Sequence, residues 1–299
     1  MTKKTEHINQ QLRDLELRDN TEILTTLAQS QLRGAQAAEK VIAVLSRAVD
    51  ASCHILLNNS GRLVMVGAGA SGRLAVQDGA ELWPTYGWPS NRLILSVAGG
   101  DAALLESIEG CEDDAEDATA EVRLHNINQD DVVLGVAASG SSKWTVAWIE
   151  QARRAGALTI GIANNDQTPL LQQCDYPVFL DSGEEVLAGS TRMAAGTAQK
   201  AALNMFSTLL MIRLNRTYGN LMVDMAASND KLDDRRLRMV QSVLPNIDKN
   251  LAAQALIDAD GWVKLAVLIA LGQNKQSALA LLEHSSGNLR NAIAQINGN

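Results

Sequence analysis

Aromatic side chains make up only 3% of this 299-residue chain, too few for the stacking platforms that hold single-stranded nucleic acid. Positive charge is also in deficit. Twenty-six Lys and Arg stand against 34 Asp and Glu, a net charge of −8, which argues against nucleic acid or an anionic membrane as the main partner. An anionic ligand must then be held by local donors, not by the overall field. Cysteine is sparse: Cys53, Cys111 and Cys174 are widely spaced and form no CxxC, so reduced thiols are expected in place of a disulfide framework. The histidines, at 7, 54, 125 and 284, have no paired ligand spacing, and no metal is expected. The opening MTKKTEHINQQLRD lacks an apolar signal-peptide region, and no apolar run approaches a membrane span. The expectation is a soluble, cytoplasmic protein.

Apolar residues reach 46%, ample for a packed core, and the length suits one large domain with a smaller one, or two moderate ones. Residues 1–20 are polar and predict an extended or partly helical arm. From Thr21 apolar residues recur at helical spacing, with Gly34 as the expected break between two helices. Five short apolar runs then predict strands: Leu63–Val66, Asn91–Ala98, Asp130–Ala137, Leu158–Ala163 and Tyr176–Leu180. Helical stretches separate them, including an acidic one expected over Ala102–Glu121. This alternation predicts an α/β fold with a parallel sheet covered on both faces. The stretch 184–218 is rich in small residues and predicts a helix that another helix can approach closely, within the domain or across a dimer. After Asn229-Asp230 the pattern is polar helix, then short amphipathic pieces split at Gly261, Gly272 and Gly287. The expected organisation is a helical segment over 1–55, a sheet domain over 56–228 and a small three-helix module over 229–299.

Two glycine-marked loops fall at strand ends. Gly67-Ala68-Gly69-Ala70-Ser71-Gly72 leads into a helix without dinucleotide or Walker spacing. Ser139-Gly140-Ser141-Ser142 does the same after the third strand. Free first-turn amides, the helix dipole and neutral hydroxyls at such points suit a phosphate. A plain serine-capped helix start has the same pattern; two loops on neighbouring strand ends, with Ser190-Thr191-Arg192, favour a phosphate site. Glu81, beside Trp83-Pro84, is a candidate general acid if an apolar corner raises its pKa. Glu112 opens an acidic run, and Glu185 lies past the fifth strand, where a base or hydroxyl-binding carboxylate would fit. From the residues alone a surface helix-end glutamate is the preferred reading of Glu81, and a solvated charge is a strong reading of Glu112. A helix unbroken from Ser71 would set Glu81 ~15 Å from the glycine loop, at ~1.5 Å per residue.

At these residues the chain resembles the sugar isomerase (SIS) domain proteins, and within them the N-acetylmuramic acid 6-phosphate etherases. The similar segments are GAGASGRLAVQDGAELWPTYG (67–87), VAGG and EGCEDD within 97–114, AASGSS (137–142), GEEVLAGSTRMAAGTAQKAALNMFST (183–208) and YGNLMVD with NDKL within 218–232. The last helices resemble the family's ubiquitin-associated-like module. The resemblance implies a lyase without metal or cofactor that cleaves the D-lactyl ether of an amino-sugar 6-phosphate in cell-wall recycling, and a homodimer with its site near the subunit interface. It implies catalytic roles for Glu81 and Glu112. Ser71, Ser139, Ser141, Ser142, Glu185, Ser190 and Thr191 are expected to bind substrate. The alternatives are a sugar-phosphate isomerase with Glu185 as base, or a non-catalytic sugar-phosphate sensor. Some positions depart from the family: Ala70 replaces its threonine, Ser141 its arginine, and Thr5-Glu6-His7-Ile8-Asn9-Gln10 lacks its arginine and proline.

Overall fold

The computed structural model describes residues 3–58, 61–225 and 230–298. The expected boundary at Asn229 lies outside them. By its internal contacts the chain divides into two compact units, one formed by residues up to Ala80 with Ser90–Leu209, the other by Glu81–Pro89 with Leu210 onward.

In the first unit, α1 (Asn20–Glu39) and α2 (Ile42–Asn58) precede β1 (Leu63–Gly67) and α3 (Gly69–Ala80). Then come α4 (Leu82–Tyr86, in the second unit), β2 (Leu93–Val97), α5 (Ala115–Leu124), β3 (Val132–Val136), α6 (Lys143–Arg154), β4 (Leu158–Ala163), α7 (Pro169–Gln173), β5 (Tyr176–Phe179) and α8 (Ala194–Arg213). All five strands pair in parallel, in the order β2-β1-β3-β4-β5. Every residue of β1 and β3 is buried, as expected of strands covered on both faces. Trp144 and Trp148 of α6 pack into that core. Their indole N–H groups donate to Asp117 (2.8 Å) and Glu121 (3.2 Å). Two members of the acidic run thus serve buried tryptophans, whose N–H groups need a partner. At the foot of the sheet the buried Asp131 pairs with Arg62 at 2.7 Å, tying β1 to β3.

Two helix boundaries differ from expectation. Gly34 does not break α1. A Cβ there would lie 2.4 Å from the carbonyl oxygen of Ala194, so this glycine is a point of close approach to α8, and the chain breaks later, at Lys40-Val41. The helix expected over Ala102–Glu121 is instead a short 3-10 turn at Asp101–Leu104, a second at Cys111–Asp113, and α5. Gly110 adopts a left-handed φ of 75°, which ends one segment, and Asp114 caps α5 by accepting from the amides of Glu116 and Asp117. The small residues of α8 also have an internal explanation, since Ala194, Ala195, Ala198 and Ala202 are all buried within this chain. Cys53 and Cys174 are buried and form no disulfide, and burial pushes the Cys174 thiol up to about 11.

In the second unit, α9 (Asp230–Val243), α10 (Lys249–Asp258), α11 (Val263–Ala270), α12 (Lys275–His284) and α13 (Leu289–Asn297) share one apolar core. The three glycine-marked breaks separate four helices after Asp248. Lys264 is buried with Asp224 at 2.5 Å, and Asp224 also accepts from the Trp262 indole at 2.9 Å. Desolvation lowers the Lys264 pKa against the opposing pull of Asp224. No single helix among the described residues is long and apolar enough to cross a membrane.

Candidate active site

Between β1 and β3 the chain order reverses, and in such sheets ligands sit beyond the carboxyl ends of the strands at that point. Both glycine loops are there. Gly67 and Gly72 allow β1 to turn into α3 at contact distance: a Cβ on Gly72 would meet the carbonyl oxygen of Gly67 at 2.6 Å. Ser71, in the first turn of α3, accepts from the amide of Ala138 at 3.2 Å, joining the first loop to the second. In the second loop the Ser139 hydroxyl accepts from the Ser141 amide at 3.2 Å. Ser142 is the N-cap of α6 and accepts from the amide of Thr145. Its hydroxyl donates to the backbone carbonyl of Glu112 at 3.1 Å, so the second loop fixes the segment that carries this carboxylate.

Ser71, Glu112, Ser139, Ser141, Ser142 and Thr191 line one cleft of about 410 Å³. A neighbouring cavity of about 400 Å³, lined by Arg73, Glu106, Glu109 and Cys111 among others, shares Gly69, Ala70 and Glu112 with the first. Glu112 therefore stands where the two meet. Its neighbour Asp113 pairs with Lys143 at 3.3 Å on the surface.

The other expected site residues lie elsewhere. Glu185 is 1% exposed, and its two oxygens accept from the amides of Ala194 and Ala195, each at 2.9 Å. It caps the N-terminus of α8, where a carboxylate is favoured by the helix dipole. Ser190 sits in a turn, its amide bonded to the carbonyl of Leu187 at 2.9 Å, and is not among the residues lining the cleft. Glu81 follows α3, which is continuous through Gly79 to Ala80. Twelve helical residues at ~1.5 Å each span roughly 18 Å, so α3 carries Glu81 well away from its own glycine loop. The carboxylate is exposed and Trp83 is 53% exposed; within one chain no apolar corner encloses it.

The N-terminal arm is the part of the site that motif spacing did not locate. Lys3 and Glu6 line the cleft with the two loops. Thr5, fully buried, anchors the arm: its hydroxyl accepts from the Asn165 amide at 3.0 Å, and its carbonyl accepts from the amide of Gly189 at 2.9 Å. Lys4 pairs with Asp181 at 2.6 Å, and that hydrogen bond holds the Asp181 carboxyl below its ordinary value. His7 contacts Glu184 at 2.7 Å. The one signal of this role in the sequence was the family-like Thr5-Glu6 pair.

Residues 42–153 match the family model described as the glucokinase regulatory protein N-terminal SIS domain. A phosphoheptose isomerase of solved structure from Francisella tularensis aligns with 67% of this chain and 100% of its own, at a TM-score of 0.47 and 17% identity. The N-acetylmuramic acid 6-phosphate etherase of Deinococcus radiodurans is 42% identical over 294 residues, covering 98% of this chain and 96% of its own. That of Streptomyces avermitilis is 42% identical over 278 residues, covering 91% and 89%. At such identity over nearly the whole length, this chain belongs to the N-acetylmuramic acid 6-phosphate etherase family.

Proposed function

We propose that the protein is a carbon–oxygen lyase that cleaves the D-lactyl ether of N-acetylmuramic acid 6-phosphate, giving N-acetylglucosamine 6-phosphate and D-lactate with uptake of one water. The observation that carries this reading is the placement of Glu112 at the meeting of two cavities, beside two hydroxyl-lined loops at the switch point of the sheet. In the open-chain sugar the proton at C2 is acidified by the neighbouring aldehyde, and Glu112 removes it. The C3–O bond then breaks as its electron pair leaves with lactate, whose alkoxide takes a proton from Glu81. Water adds at C3 of the unsaturated aldehyde and C2 is reprotonated. Phosphate is bound by Ser71, Ser139, Ser141 and Thr191 with the loop amides, without metal or cofactor, while Ser142, whose hydroxyl proton goes to the Glu112 carbonyl, holds the loop to that segment.

The separation of Glu81 from its own glycine loop along α3 supports a homodimer in which each subunit supplies Glu81 to the other's cleft. Exposed Leu17, Leu24 and Leu32, at 81%, 65% and 63%, offer apolar surface for such an interface. The chemistry is assigned to residues 56–228 with the arm of 1–55, and 229–299 supplies no catalytic group. A phosphorylated sugar as substrate suits a cytoplasmic enzyme. Incubation with N-acetylmuramic acid 6-phosphate should release D-lactate and N-acetylglucosamine 6-phosphate in equal amounts. Conversion of the sugar phosphate without lactate would point to an isomerase. Binding without conversion would point to a sensor.

A further inference from the structure

We infer that Lys3, carried by the docked N-terminal arm, binds the phosphate of the substrate and sets Ser141 as a donor to it. The inference rests on the proposed sugar-phosphate substrate, not on the ether cleavage. Among the described residues that line the cleft, Lys3 alone is basic, while Glu6, Glu112 and Asp113 are acidic. Neither glycine loop contributes a cation. In a chain of net charge −8, a phosphate dianion entering beside these carboxylates meets repulsion that neutral hydroxyls and amides offset only in part.

The geometry supplies the missing charge. The half-buried Lys3 ammonium donates to the hydroxyl of Ser141. An ammonium has three donors and no acceptor, so two N–H groups remain for an anion. A serine hydroxyl that accepts from an ammonium keeps its own proton to give, and the chained arrangement polarises that O–H. The Ser141 amide is meanwhile bonded to Ser139. Lys3, Ser141 and Ser139 thus form one connected row of donors along the cleft. Lys3 is held over it by the buried Thr5 and by the Lys4–Asp181 pair, so the charge is placed in advance of binding. A lysine already bonded to Ser141 loses less rotamer freedom on binding than an unattached one.

The test uses the full chain with Lys3→Met and Lys3→Arg, and calorimetric binding of N-acetylglucosamine 6-phosphate, which carries the phosphate but no lactyl carboxylate. Loss of a charge-assisted contact should weaken binding in Lys3→Met by about tenfold or more, and Lys3→Arg should restore most of it. The wild-type affinity should fall with added salt more steeply than that of Lys3→Met. In turnover, KM should rise in Lys3→Met while kcat stays within about twofold, since the phosphate contact is equal in ground and transition states. Unchanged affinity in Lys3→Met, at an unchanged melting temperature, would overturn the inference. So would a rise in KM for the lactyl substrate with unaltered binding of N-acetylglucosamine 6-phosphate, which would assign Lys3 to the carboxylate. If the wild type binds the sugar phosphate through Lys3 but releases no lactate, the reaction assignment fails and this inference stands.

Discussion

Glu112 and Glu81, the base and the acid of the proposed reaction, are both exposed and differ in what holds them. The Ser142 hydroxyl ties the backbone of Glu112 to the second glycine loop, whereas Glu81 follows the last residue of α3. Replacing Glu112 by Gln should suppress both exchange of the C2 proton with solvent and lactate release. Replacing Glu81 by Gln should nearly abolish lactate release yet leave C2 exchange intact, measured by deuterium uptake. The reverse pattern would interchange the two roles. Ser139→Ala should weaken sugar-phosphate binding by ~1 kcal/mol or more through the lost hydrogen bond; unchanged affinity would place the phosphate elsewhere. The serines were legible in the sequence because glycine and serine at a strand-to-helix junction have a local meaning. Lys3 was not legible, because its partner Ser141 is 138 positions away and no spacing rule reaches that far.

At the scale of elements, the five strands were legible to within two residues at each end, since an apolar β-rich run between glycines is a local pattern. The acidic stretch was not. Its charges at helical spacing concealed a left-handed glycine at 110 and a capping aspartate at 114; the first ends one segment and the second starts α5, so no single helix runs through them. Glu185 shows the same limit in another form. Its position past β5 suggested a substrate contact, but its oxygens meet the first amides of α8, a pairing that only the fold creates. Glu185→Ala should strand those buried amides and destabilise the first unit by about 2–3 kcal/mol, seen as a lower denaturation midpoint. Glu185→Gln, keeping one acceptor, should fall between. Sugar-phosphate affinity of the folded variants should hold at the wild-type value; a marked loss would return Glu185 to the binding site.

For the whole molecule, the proposed exchange of Glu81 between subunits has a direct test. Glu81→Gln and Glu112→Gln subunits, each inactive alone, should regain activity when unfolded together and refolded as mixed dimers, because one cleft then holds both carboxylates. No recovery in a preparation that sedimentation shows to contain mixed dimers would confine the pair to one chain. The docked arm also bears on how such a molecule is made. Thr5 is held by Asn165 and Gly189, Lys4 by Asp181, and His7 by Glu184. As the chain emerges from the ribosome at ~5–20 residues per second, residues 3–7 wait about ten seconds or more for the segments that receive them. Ser141 and Asn165 are made before β5, and Asp181, Glu184 and Gly189 after it, so the arm gains its full set of partners only once all five strands have been translated. The segment translated before the rest of the cleft is therefore among the last of the cleft's parts to be fully held in place.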